Sequence, residues 1–367
     1  MTPNDLPLVK TIGERCRTCY SCVRGCPAKA IRIVGGQAEV IAERCIGCGN
    51  CVITCGRKAK EIRSSVENTQ RLLKSGGHKA ACLAPSFPVE FGGMDPLRLA
   101  GMLKALGFDY VTEVAFGADM VSLRCRELIS ECPGKRFISS ACPAVVAYVE
   151  KYHPELVSNL APVVSPMLAQ ARIVRKGYGA EVKVVFIGPC IAKKDEAFFN
   201  SVDIEEAITF KELRQLFELA GITEDNALDA HFDPPHPAKG VLYPLGGGLL
   251  NASEFDTDLM SGKFLAVEGL ENMTEALSNF ERGELDVNFL DILCCDGCLM
   301  GPGFTHPSSR YARQASLRRY AQKSYYNFKV SEWEKDLQRF RALNYSCSFR
   351  SEDKRLQTPA KKELEEI

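Results

Sequence analysis

The chain has 367 residues, 46% hydrophobic and 25% charged, which excludes an intrinsically disordered protein and leaves apolar material for one large core or two. Lys plus Arg and Asp plus Glu each total 46, so no net field recruits nucleic acid or an anionic membrane, and neither is expected as a partner. MTPNDLPLVK lacks the layout of a secretory signal, and no apolar run approaches the roughly 18 residues of a spanning helix. The expected location is the cytoplasm, where most of the 17 cysteines are read as ligands rather than disulfides.

The first seventy residues repeat themselves. CRTCYSCVRGCPAKAIRI and CIGCGNCVITCGRKAKEI, beginning at Cys16 and Cys45, match cysteine for cysteine. Each is a C-x2-C-x2-C-x3-C run, the spacing of bacterial two-cluster ferredoxins. Three closely spaced thiolates cap three corners of a 4Fe-4S cubane, and the fourth points away to serve the other cluster. Cys16, Cys19, Cys22 and Cys55 are therefore assigned to one cluster, and Cys45, Cys48, Cys51 and Cys26 to the second. Zinc usually takes paired cysteines rather than interleaved triplets, and a disulfide knot conflicts with a reducing compartment, so both readings are weaker. Pro27 follows the first quartet as the pattern expects, whereas Gly56 follows the second. Fully ligated cubanes pass single electrons, so this domain is read as a wire.

Further along, VENTQRLLKSGG reads as a helix. The runs KAACLAP, YVTEVAF, RFISSA, EVKVVFIGP, GVLYPLG, KFLAVEGL and FLDILCC read as short buried strands. DPLRLAGMLKALG, PAVVAYVEKYHPELV, TFKELRQLFELAG and NMTEALSNFERGE between them read as helices. The order predicts an α/β fold with parallel sheets in two lobes behind an α+β ferredoxin-like domain. Domain limits are expected at 1–70, 71–340 and 341–367, the last a charged tail, and the charged stretch from Trp333 onward is amphipathic in its first part. Ligands of open α/β sheets bind at the carboxyl ends of strands, and Cys142, Cys190, Cys294 and Cys298 all fall there. Four thiols from three distant segments can meet in one crevice.

The segments SSACPAVV, GPCIAKKDE and CCDGCLMGPG resemble, in order and spacing, the three active-site motifs of the iron-iron (FeFe, iron-only) hydrogenases. LAPSFPVEFG, AFGADM, SPM and LYPLGGGLLNA are supporting matches, and the resemblance spans roughly residues 10 to 330. It implies the two-lobed iron-only hydrogenase fold with an H-cluster between the lobes: a 4Fe-4S cubane joined to a two-iron unit carrying carbonyl, cyanide and azadithiolate. On that resemblance Cys142, Cys190, Cys294 and Cys298 ligate the cubane, Cys298 supplying the bridge. Lys193 donates to one cyanide, and Pro85 with Ser86 lies beside the other. Alone, Lys193 and Lys194 could be a solvated helix start and Ser86 an ordinary turn residue. The implied activity is H2 = 2 H+ + 2 e−. The implied partners are H2, a ferredoxin-like electron partner or a signalling partner, and hydrogenase maturation proteins.

The departures are as informative as the matches. The family's fast members carry a proton-relaying cysteine where this chain has Ala141, and carboxylates where it has Arg124 and Cys125. A methyl group carries no proton and an arginine stays charged. Gly188 and Ile292 replace methionines that pack around the two-iron unit, and Val145 replaces a tryptophan. These changes resemble the family's sensory branch, whose members often continue into a signalling domain, and 341–367 could open such a region or end in solvent. The expected behaviour is slow turnover, because losing an acid–base relay typically costs roughly 10²- to 10⁴-fold. The alternatives are a metabolic ferredoxin-dependent hydrogenase and a non-catalytic iron–sulfur scaffold lacking the two-iron unit. Cys82, Cys125, Cys132 and Cys347 are read as small buried hydrophobes. Cys295 is set apart, because it stands between two expected ligands.

Overall fold

The computed structural model describes residues 7–258, 260–326 and 328–356. At the N-terminus, β1 (Val9–Thr11) pairs antiparallel with β4 (Lys60–Ile62), and β2 (Ile31–Val34) with β3 (Gln37–Val40). The hairpin turns through Gly35 and Gly36, with φ of 54° and 76°, a region glycine enters without steric cost. Short helices α1 (Ser21–Arg24) and α2 (Asn50–Ile53) sit at equivalent places in the two cysteine repeats.

The remaining elements in chain order are α3 (Val66–Lys74), β5 (Lys79–Leu83), α4 (Phe87–Glu90), α5 (Pro96–Leu106), β6 (Tyr110–Glu113), α6 (Val114–Glu131), β7 (Phe137–Ile138), α7 (Pro143–Tyr152) and α8 (Pro166–Tyr178). They continue with β8 (Lys183–Gly188), α9 (Ala192–Phe199), β9 (Glu206–Thr209), α10 (Phe210–Ala220), α11 (Gly248–Ala252), β10 (Phe264–Glu268), α12 (Leu270–Glu281), β11 (Phe289–Leu293), α13 (Arg310–Tyr326) and α14 (Val330–Phe340). Two parallel sheets result, ordered β6-β5-β8-β9 and β10-β11-β7. Ala80 to Leu83 on the central β5 are fully buried, as expected of parallel strands covered on both faces. Helix ends follow local chemistry. Asp95 accepts from the Leu97 N–H at 2.9 Å ahead of Pro96, and Thr209 with Glu212 closes a capping box on α10.

The two-lobed α/β expectation matches this architecture, with local differences. GVLYPLG is a single 3₁₀ turn over Lys239–Leu242 rather than a strand. The reason is close approach: a Cβ on Gly240 would lie 1.9 Å from the Ala115 carbonyl oxygen, and the Asp119 carboxylate takes the N–H groups of Ala238 and Gly240, both at 2.6 Å. YVTEVAF is a strand only to Glu113, after which the chain turns into the long helix α6. The charged C-terminal stretch is fastened down as far as Lys354. Tyr345 is buried, Val163 bridges Ser346, and the N–H groups of Glu352 and Lys354 donate to the carbonyls of Glu150 and Lys151, both at 2.8 Å. Residues 357–367 lie outside the described part. Among the described residues no helix is long and apolar enough to cross a membrane.

One apolar core fills the lobe around β5 and β8. A second joins β11, α7 and α12 to Ala28, Ala30 and Ile46 of the N-terminal domain. The cysteine repeat is thus packed into the smaller lobe rather than tethered beside it.

Candidate metal centres along one line of cysteines

In the N-terminal domain Cys16, Cys19, Cys22 and Cys55 line one cavity, and Cys26, Cys45, Cys48 and Cys51 line another. Each cavity thus takes three cysteines from one repeat and the last from the other. Backbone amides point at the sulfurs: Ala30 N donates to Cys26 Sγ at 3.3 Å, Ala59 N to Cys55 Sγ at 3.3 Å and Gly47 N to Cys45 Sγ at 3.4 Å. Such donors favour the thiolate and a negatively charged cluster. All seventeen cysteines are unbridged.

The third centre is assembled by strand ends. Cys142 follows β7 and caps α7, Cys190 lies between β8 and α9, and Cys294 and Cys298 follow β11. The Gly303 N–H donates to the Pro189 carbonyl at 2.9 Å. A Cβ on Gly301 or Gly303 would come within 2.6 or 2.7 Å of that same oxygen, so only glycine lets the loop after Cys298 lie against Cys190. The Cys298 N–H donates to Pro244 at 2.9 Å, beside Gly297 at φ 71°. Burial pushes the Cys190 thiol up to about 11, with Cys142 adding like charge and Lys193 opposing it. Cys298 is raised by burial and by the charges of Cys142 and Cys190. Burial raises the Cys142 thiol as well, against backbone N–H groups of Cys294, Val145 and Ala144 that face its sulfur.

Among the described residues no three His, Cys, Asp or Glu side chains close tightly enough for a single ion. A cubane makes a different demand, since its four thiolates bind four different irons and stand farther apart. Buried thiols that repel one another fit a polynuclear iron group, which would neutralise their charge. The inner N-terminal site abuts this centre, because the side chains of Cys48 and Cys294 lie close enough to shift each other's titration. Gly49, at φ 75°, has room only for a hydrogen against Pro302 and Ile191.

Around the four cysteines, Lys193 is 8% exposed and donates to Glu196 at 2.6 Å. Lys194 is more deeply buried, clasped by Ser65 and Glu212, both at 2.8 Å. Neither is a solvated helix start. Pro85 and the buried Ser86 follow β5, whose end pairs with β8 through Ala84 N to Ile187 O at 2.8 Å, so they share an edge with Cys190. Ala141 is half-buried and packed against the larger core. Gly188 has no space for a methionine: an added Cβ would lie 2.7 Å from the Phe186 ring. Cys295 is held by the Gly269 N–H on its carbonyl at 3.0 Å and interacts electrostatically with Cys142, Cys190 and Cys298.

Arg124 is ion-paired with Glu127, which Arg341 also holds at 2.7 Å, and Glu131 is exposed at the end of α6. Sequence reasoning missed a different acid. Asp291 is 3% exposed, its Oδ1 has no hydrogen-bond partner, and burial pushes it up to about 7 against a Ser139 hydrogen bond. Its neighbours include Cys125 and Tyr243, and the Tyr243 hydroxyl pairs with Ser122 at 2.8 Å. A carboxylate in the middle of FLDIL, where every other residue is apolar, was the signal.

Three cysteine centres running from the surface into an α/β crevice define an iron–sulfur oxidoreductase. Residues 78–302 match the iron only hydrogenase large subunit, C-terminal domain, and residues 8–56 match the 4Fe-4S dicluster domain; the chain belongs to the iron-only hydrogenase family. The cofactors of these domains are two 4Fe-4S clusters and the H-cluster. The chain is 28% identical to the periplasmic Fe hydrogenase large subunit of Nitratidesulfovibrio vulgaris, over 82% of this chain and 87% of that one. Iron hydrogenase 1 of Clostridium pasteurianum is 23% identical over 68% of this chain, which spans 54% of that enzyme's length. The cytosolic Fe-S cluster assembly factor NAR1 of Yarrowia lipolytica is 29% identical over 39% of this chain and 30% of its own. An apo FeFe hydrogenase from Chlamydomonas reinhardtii superposes with a TM-score of 0.63 at 19% identity, covering 79% of this chain and 99% of that one, which shows the shared fold.

Proposed function

We propose that this protein activates H2 heterolytically, slowly, as a hydrogen or redox sensor in a reducing compartment. The observation that carries the reading is the convergence of Cys142, Cys190, Cys294 and Cys298 beside Cys48. These four would hold the core cubane, Cys298 carrying the bridge, and the N-terminal quartets would hold the two outer clusters. When bound, the two-iron unit supplies the open iron position at which H2 is split into protons and electrons. Lys193 is ion-paired with Glu196, which leaves it two N–H groups with which to orient an anionic iron ligand. Ser86 offers a hydroxyl from the neighbouring strand end.

Electrons would leave across the Cys294–Cys48 contact to the inner cluster and then to the outer one, whose Cys19 is exposed among the exposed Arg17, Arg24 and Arg57. That rim suits an acidic, ferredoxin-like or signalling partner. Slow turnover follows from the proton side: Ala141 cannot relay, and Arg124 is locked on Glu127. Asp291 is the buried acid nearest in kind to the missing relay.

Similarity to an Fe-S assembly factor keeps a scaffold reading in view. Ser86, buried with no service to a bare cubane, argues against it. The deciding experiment is infrared spectroscopy of protein matured with the two-iron unit. Cyanide and carbonyl bands that shift under H2, with low turnover, are the expected result. Bands unchanged under H2 reject the sensor, and high specific activity in a dye assay favours a metabolic hydrogenase. Iron content is independent: about 14 atoms per chain with the two-iron unit and about 12 for three cubanes alone.

A further inference from the structure

Away from the cysteine loops, a cavity of about 540 Å3 opens between the turn after α4, Arg214 of α10 and the first half of α13. It shares the Gly92–Gly93 turn, Ser316 and Arg319 with a second cavity of about 330 Å3, walled in part by Phe87, Leu99 and Tyr320. Together they make one cleft, cationic at one end and aromatic at the other, within the size range of small-molecule sites.

The cationic end is built around an under-compensated charge. Arg313 is 7% exposed. Its terminal nitrogens donate only to the carbonyls of Leu299 and His306, and it lies over the Phe304 ring at 4.4 Å. Among the described residues its Nε has no hydrogen-bond partner and no carboxylate stands within ion-pair distance, Glu90 attracting it only from farther off. A buried guanidinium held by neutral carbonyls alone is costly unless an anion completes it. Among the described residues Arg319, exposed on the same wall, has neither an ion-pair nor a hydrogen-bond partner. Arg214 lies over Phe91 at 4.8 Å, and His306 stands at the rim. Two carboxylates face these groups: Glu90, already engaged by Arg214 and Thr305, and the exposed Glu224. Planar, forked guanidiniums match phosphate oxygens in pairs.

We propose that this cleft binds a phosphorylated small molecule of nucleotide size, its phosphates against Arg214, Arg313 and Arg319 and its organic body in the adjoining Phe87–Tyr320 cavity. The site requires no hydrogen chemistry. Its position makes it regulatory. Glu90, four residues after Ser86, accepts from the Thr305 N–H at 2.9 Å, seven residues after Cys298. An anion competes with Glu90 for Arg214 and so bears on the clasp joining two loops of the core metal centre.

Calorimetric titration of the full chain at low salt, with ATP and separately with pyrophosphate, tests this. Both are expected to saturate, ATP more tightly. Arg319→Glu is expected to weaken each at least tenfold, about 1.4 kcal/mol. Among the described residues Arg319 has no partner, so the variant should keep the wild-type circular dichroism and melting temperature. The control Arg32→Glu makes the same charge change on the exposed β2 and should leave affinity unaltered. Absence of binding to the wild type at millimolar ligand, or an equal loss in the control, overturns the site. Equal affinity for ATP and pyrophosphate overturns the nucleotide-sized occupant.

Discussion

The N-terminal domain and the hydrogenase domain hold cysteine centres built on opposite principles. In the first, eight cysteines occupy forty residues, from Cys16 to Cys55, and the chain between them has little to do but turn. In the second, four cysteines come from segments up to 156 residues apart, Cys142 to Cys298, and meet only because two parallel sheets deliver them to one edge. The local centre depends on spacing, and the remote one on packing as close as that of Gly301 and Gly303 against Pro189.

The comparison breaks most visibly at the ligands. Cys298→Ala is expected to remove the core cubane while leaving both N-terminal clusters, lowering cubane iron from about 12 to about 8 atoms per chain. Cys19→Ser should remove only the outer cluster. Because Cys19 is exposed and far from Lys193 in the chain of centres, infrared bands of the matured core should stay where they are. Iron analysis with electron paramagnetic resonance reads both variants. Loss of all iron from Cys298→Ala would mean that the two regions assemble as one unit.

A smaller effect sharpens the functional side. Ala141→Cys restores a titratable group at the position beside Cys142, and turnover in a dye-linked assay should rise, on the order of 10²-fold, if the missing relay limits the rate. Unchanged turnover would place the proton exit elsewhere, with Asp291 the next group to test.

How much of this was legible in the sequence follows the same division. The two N-terminal quartets could be read from C-x2-C-x2-C-x3-C alone, since a helical turn and a fixed spacing suffice to set them. Strands such as KAACL and FLDIL were readable because buried parallel strands are mainly apolar, and the three hydrogenase motifs fell at their ends. GVLYPLG misled for the same reason: its apolar residues are buried in a turn that Asp119 pins through Ala238 and Gly240. The Cys48–Cys294 contact, the Lys193–Glu196 pair and the Phe186 ring over Gly188 had no local signal. Each depends on which loops the fold presses together.

The smallest expected effect concerns charge rather than iron. The described carboxylates of the N-terminal domain are exposed, whereas the hydrogenase domain buries Glu113, Asp119 and Asp291, raised by burial to about 7, about 6 and about 7. An unfolded aspartate titrates near ~3.9, so between about 4 and about 7 the folded chain holds a proton on Asp291 that the unfolded chain has released. Stability from this group is therefore complete at low pH, falls as pH rises through that window, and levels off above it. Asp291→Asn removes this contribution and leaves those of Glu113 and Asp119. From pH 5 to pH 8 the melting temperature of the wild type should drop more than that of the variant, at equal cluster content. Parallel melting curves would mean that Asp291 is ionised in the folded protein, and a permanently charged carboxylate beside Cys125 could serve as neither a proton donor nor a way out of the crevice.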